Sequence, residues 1–135
     1  MASIFTKIRQ HEIPGEIIYQ DSTVFIILTI RPHTSGHSLV IPVAEEPDFQ
    51  ELPENLYTRL MAVTRQYAQA LRAIYQSPKV ALVAMGLEVA HTHLHVFPLY
   101  TEDDINISRA HTVSSEELKE EADKIRSYLK EHPIQ

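Results

Sequence analysis

The sequence predicts an α+β fold, a five-stranded, mainly antiparallel sheet with one long central helix and a C-terminal helix. Three observations predict it. Short β-branched and aromatic runs come in succession with turn residues between them; one long stretch of helical periodicity interrupts them; a second helical stretch ends the chain. With 135 residues there is room for one core and not comfortably for two, so residues 1–135 are taken as a single domain.

Taken in order, Glu16–Gln20 and Thr23–Ile30 are two strand-forming runs separated by Asp21 and Ser22, a hairpin signal. Pro32 and Gly36 punctuate a loop that leads into Ser38–Val43, an apolar run expected to be a buried strand. From Pro53 to Tyr75, the positions Leu56, Leu60, Val63, Tyr67, Ala70 and Ile74 follow steps of four and three, the mark of an amphipathic helix. Pro53 and Glu54 suit its first turn, where a missing N–H costs nothing and a negative charge meets the positive end of the dipole. Lys79–Met85 and Thr92–Pro98 are two further strands, expected to be joined by a tight turn around Gly86. Ser114–Glu117 has the form of a capping box, and Leu118, Ala122, Ile125 and Leu129 mark one face of a helix over about 114–131.

Composition narrows the function classes. The chain is 44% hydrophobic and 22% charged, ordinary for a globular domain. Its 18 acidic and 12 basic residues give a net charge of -6, which disfavours an electrostatic grip on nucleic acid. The apolar stretches Val24–Ile30 and Val80–Val83 are far below the roughly 18 residues of a membrane span. With no charged-then-apolar leader, a cytoplasmic protein without membrane partners is expected. The absence of cysteine removes disulfides, thiol catalysis and thiolate zinc sites.

The informative residues are histidines. Three of the eight fall in His91-Thr-His-Leu-His95. On a strand, alternation places His91, His93 and His95 on one face and Thr92, Leu94 and Val96 on the other. Imidazole, with an unperturbed pKa of roughly 6.5, serves near neutrality as base, acid, nucleophile or metal ligand. A metal site using two of the three, with His37 or Glu88 added, is one reading. Against it, the Cα atoms of His91 and His95 would lie roughly 13 Å apart on a straight strand, too far for one ion without a bend. Three roles along one substrate fit that spacing better, and no metal or cofactor is expected.

This pattern, followed by Val96-Phe97-Pro98, resembles the His-x-His-x-His signature of histidine triad (HIT) proteins. Ser3–Ile8, Glu12–Pro14, Ile30–Pro32, Gly36-His37 and Leu39–Pro42 resemble the family's other segments in the same order, so that the resemblance spans about residues 2–99. It implies a nucleoside phosphate substrate, a covalent nucleotidyl intermediate on His93, and a homodimer. It also implies that His91 and His95 hold phosphate oxygens, that His37 completes the histidine cluster, and that Ile4, Phe5, Ile8, Ile27, Thr29, Ile30, Gly86 and Glu88 form the nucleotide site. The sequence departs from the family in four places. The Cys-x-x-Cys of some zinc-containing members is Ser3 and Thr6 here; Ala84 and Leu87 stand where polar residues hold the phosphate; and Thr29 replaces the acidic residue that contacts ribose. A nucleotide hydrolase or transferase, a nucleotide-binding protein with little catalysis, and a histidine-based metal protein are the three functional readings.

Overall fold

The computed structural model describes all residues, 1–135. Five strands, β1 (Ile17–Gln20), β2 (Val24–Leu28), β3 (Ser38–Pro42), β4 (Lys79–Val83) and β5 (Leu94–Leu99), form one sheet in the order β1-β2-β3-β5-β4 with every neighbouring pair antiparallel. Three α-helices accompany it, α1 (Ile4–Arg9), α2 (Glu54–Tyr75) and α3 (Ser115–Glu131). The expected α+β architecture is therefore present.

The alternation of side chains along the strands divides the interior in two. Val24, Ile26, Leu28, Val40, Leu94 and Val96 face Leu60, Val63, Tyr67 and Leu71 of α2 and Ala122, Ile125 and Leu129 of α3. Each of the larger aliphatic side chains contributes about 1.5–3 kcal/mol by leaving water. On the opposite face Phe25, Ile27, Leu39 and Ile41 are covered by Phe5 of α1. This second cluster is the smaller one, and the histidines stand beside it.

Local chemistry fixes the turns. The Asp21 carboxylate accepts the N–H groups of Thr23 and Val24 at 2.7 and 2.8 Å, closing the β1–β2 hairpin. Ser114 accepts the Glu117 N–H at 3.1 Å and starts α3. Gly36 has φ +90 and a Cβ there would meet the Tyr75 ring at 2.5 Å, so only glycine lets the chain pass α2 and enter β3.

Two expectations are corrected. The connection from β4 to β5 is not a tight turn but an excursion over residues 84–93, with Gly86 at φ +70 inside it. β5 consequently begins at Leu94 rather than Thr92, and His91, Thr92 and His93 precede it. The reason lies far away in sequence: Thr92 is tied to the carbonyl of Glu46 by both its N–H and its hydroxyl, each at 2.7 Å. That anchor holds the chain out of the ladder until Leu94.

Candidate active site

The site is built where β5 emerges beside β3 and the loop before β3. Leu39 pairs with His95 across the β3–β5 ladder, and His37 immediately precedes β3, so the two histidines face each other across neighbouring strands. The rings of His93 and His95 are 5.1 Å apart between centroids, and those of His37 and His95 are 5.2 Å apart. Phe5 meets the His93 ring edge-on at 4.8 Å.

Hydrogen bonds fix which nitrogen of each neutral ring carries the proton, because carbonyls only accept and backbone N–H groups only donate. The Nδ1 of His93 lies 2.8 Å from the His91 carbonyl and must donate to it, which leaves the Nε2 lone pair of His93 available. The backbone N–H of His33 donates to Nδ1 of His37 at 2.9 Å, so the proton of His37 is on Nε2. That Nε2–H faces Nδ1 of His95 at 3.0 Å, and the proton of His95 is therefore on its own Nε2. A lone pair on His93 and an N–H on His95 result, from two neighbouring rings.

Burial keeps the relay neutral. It holds His37 down at about 3, with further lowering from His95 and His33, and holds His95 down at about 4, with further lowering from His93 and His33. His95 thus acts near neutrality as an uncharged hydrogen-bond donor.

His91 departs from expectation. It is 0% exposed, its Nε2 donates to the Pro42 carbonyl at 2.7 Å, and its Nδ1 accepts from the Ser3 hydroxyl at 2.6 Å. Both nitrogens are committed within the protein, so His91 has no N–H to offer a phosphate oxygen. Its backbone carbonyl, not its ring, reaches His93. The irregular backbone before Leu94 turns this ring inward, which the assumption of a regular strand through the triad missed.

Among the other expected residues, Phe5 and Ile27 are buried together and Ile8 packs against them. Ile4 is about half exposed at the start of α1, and Ile30 is 65% exposed beyond the end of β2 and outside that cluster. Thr29 extends the β2–β3 ladder by one bond to His37, and its hydroxyl accepts the Arg31 N–H at 3.3 Å. Gly86 lines a cleft of about 200 Å³ with His93, Thr92, Ala84, Met85 and residues 47–50, whereas Glu88 is exposed and outside its lining. Sequence reasoning missed His33, whose ring stacks on Phe97 at 5.0 Å and whose Nδ1 donates to the Asp104 carbonyl at 2.8 Å. The His-x-x-x-His spacing of His33 and His37 was the available signal.

A fold with this sheet order, and a site in which His93, just before β5, and His95, on it, meet a glycine-histidine turn, define a histidine-cluster protein. Comparison with known proteins bears this out: a family model described as the HIT domain matches residues 10–102, and the chain belongs to the HIT family. It is 31% identical over 120 residues to an uncharacterised HIT-like protein of Borreliella burgdorferi, covering 84% of this chain and 86% of that one. It is 28% identical over 134 residues to the adenylylsulfatase HINT3 of Arabidopsis thaliana, covering 96% of this chain and 68% of that protein. Among solved structures, a zinc-bound histidine triad family protein from Mycobacterium smegmatis superposes with a TM-score of 0.81 at 28% identity, over 98% of this chain and 96% of that one.

The donor set of this chain does not suit zinc. No three His, Cys, Asp or Glu side chains are arranged to hold one ion, and the side chain on Nδ1 of His91 is the neutral hydroxyl of Ser3, not one of the thiolates or imidazoles that hold zinc. No helix is long and apolar enough to cross a membrane.

Proposed function

We propose that the chain is a nucleoside phosphate hydrolase or nucleotidyl transferase that acts at the α-phosphate through a nucleotidyl intermediate on His93. One observation carries this reading: the Nδ1–H of His93 donates to the His91 carbonyl, which frees Nε2 beside an open cleft. The Nε2 lone pair attacks phosphorus, the bond to the leaving group breaks, and that group departs with the electron pair and takes a proton from water in the cleft. The ring of the intermediate is positively charged, and the His91 carbonyl on Nδ1–H stabilises that charge. Water then attacks phosphorus, releasing a nucleoside monophosphate and restoring the lone pair; an acceptor hydroxyl or amine in place of water gives transfer.

His95 supplies the neutral Nε2–H that holds a phosphoryl oxygen as charge develops, with His37 orienting it. Phe5, Ile8 and Ile27 form the apolar wall for the base, Thr29 faces the ribose, and the Gly86 backbone borders the phosphate. The adenylylsulfatase activity named for the plant relative supports this reaction class. No step involves a metal. Ala84, where an amide is expected, favours the alternative of binding with little turnover.

We also infer a homodimer through β4, an edge strand of the sheet, where Leu82 and, just beyond the strand, Met85 and Leu87 are exposed. Light scattering tests that arrangement. A time course with adenosine 5′-phosphoramidate, with and without chelator, tests the activity. Chelator-resistant release of adenosine monophosphate is expected. Tight nucleotide binding with no turnover would leave the binding reading, and loss of turnover on chelation would leave the metal reading.

A further inference from the structure

The N-terminus makes a contact with the histidines that the proposed chemistry does not itself require. Ser3 is the N-cap of α1 and accepts the Thr6 N–H at 3.2 Å. Its hydroxyl proton is directed elsewhere. Because Nε2 of His91 donates to Pro42, Nδ1 of that neutral ring accepts, and the Ser3 hydroxyl at 2.6 Å is its donor. The Ser3 backbone N–H donates to Oε1 of Glu45 at 2.8 Å, and the Thr6 hydroxyl donates to Oε2 of the same carboxylate at 3.0 Å. Four side chains from three separate segments are thereby joined: Ser3 and Thr6 from α1 and its cap, Glu45 from the turn after β3, and His91 from the excursion before β5.

We propose that Ser3, Thr6 and Glu45 form a metal-free clasp that docks α1 on the triad, and that Ser3 and Glu45 are positioning residues for His93. The mechanical route is short. The clasp fixes the His91 ring; the carbonyl of that same residue orients His93 through Nδ1; and Phe5, two residues after Ser3, meets both histidine rings, His93 at 4.8 Å and His91 at 5.8 Å. Glu45 closes the clasp as an anion, since the Ser3 N–H and the Thr6 hydroxyl hold its carboxyl below the usual range. The hydroxyls serve as donors to a nitrogen and a carboxylate, and so they are consumed by the clasp rather than left to bind an ion.

The proposal concerns hydrogen bonding at His91 and can be tested without turnover, so its failure is distinguishable from failure of the nucleotidyl-transfer reading. The test is nitrogen-15 NMR of the histidine rings in the native chain and in Ser3→Ala, Ser3→Thr and Glu45→Gln. In the native chain His91 is expected as the Nε2–H tautomer with a hydrogen-bonded Nδ1. Ser3→Ala shifts the His91 Nδ1 resonance towards that of a free acceptor and moves the His93 Nδ1–H signal with it; Ser3→Thr restores both, and Glu45→Gln gives a smaller change of the same sense. Kinetically, Ser3→Ala lowers kcat about tenfold with KM little changed. A native His91 protonated on Nδ1, or His91 and His93 signals indifferent to Ser3→Ala, would overturn the proposal.

Discussion

Nε2 of His37 stands 3.0 Å from Nδ1 of His95, and the proton between them belongs to His37 because its other nitrogen accepts a backbone N–H from His33. The orientation of the His95 donor is thus set by a residue that does not itself reach the cleft beside His93. Removing one donor to a developing oxyanion costs about 10²–10³ in kcat, and His95→Ala is expected in that range. His37→Ala removes only the orienting partner and should cost roughly tenfold to a hundredfold. The double variant should be no worse than about threefold below His95→Ala alone, because the two act as one unit. Steady-state kinetics of the three proteins checks this, and full additivity would contradict the relay.

The same burial predicts a dependence of stability on pH. His37 and His95 sit at about 3 and about 4 in the folded protein, below an unfolded value near 6.5, so the unfolded chain takes up protons first on acidification. Neither ring weakens the fold above roughly pH 6.5, and stability is lost as pH falls through about 4 for His95 and about 3 for His37. Thermal unfolding should show a falling Tm over that window, with a shallower fall in His37→Leu. Identical slopes in both proteins would show that this ring is not held neutral by burial.

The sequence made the triad and the long helix legible for local reasons. Alternation at His91, His93 and His95, and the three-and-four spacing from Leu56 to Ile74, are properties of neighbouring residues. What escaped is long-range. The Ser3–His91 hydrogen bond joins positions 88 apart, and Thr92 is held out of the strand by a carbonyl at Glu46. Helix α1 has only six residues, too few for a periodic signal, and is held by its cap and by Phe5 against the sheet. A glycine at position 86 suggested a tight turn, yet a positive φ suits a longer excursion equally well.

Thr29 is the basis of a specificity prediction. A hydrogen bond to a charged group contributes about 1.5–3 kcal/mol against about 0.5–1.5 for a neutral one, so a hydroxyl grips a ribose diol up to roughly tenfold less firmly than a carboxylate. Ribo- and 2′-deoxyribonucleoside monophosphates should therefore bind within a small factor of each other. Thr29→Asp should widen the gap in favour of ribo. Isothermal titration decides it, and a strong native ribose preference that survives substitution of Thr29 would place sugar recognition elsewhere.

The cleft beside His93 contains Asp48 and Gln50 and no lysine or arginine among its lining residues. An anionic leaving group gains no counter-charge there, and one unfavourable charge at about 4 Å in water costs about 1 kcal/mol, roughly fivefold. Adenosine 5′-phosphoramidate should accordingly exceed a dinucleoside polyphosphate in kcat/KM by at least about fivefold at low salt. Asp48→Lys should narrow the difference, and equal rates unaffected by that change would contradict this electrostatic reading.

The freed Nε2 of His93 serves as a nucleophile only if a phosphorus atom becomes bonded to it. Mixing the enzyme with adenosine 5′-phosphoramidate, quenching in base within the first turnover and measuring intact mass tests this directly, since a phosphorus–nitrogen bond to histidine survives alkali. The native chain should gain the mass of one adenylyl group, located on the peptide that contains His93, and folded His93→Ala should gain none and turn over orders of magnitude more slowly. An adduct on another residue, or full activity in His93→Ala, would exclude His93 as the nucleophile.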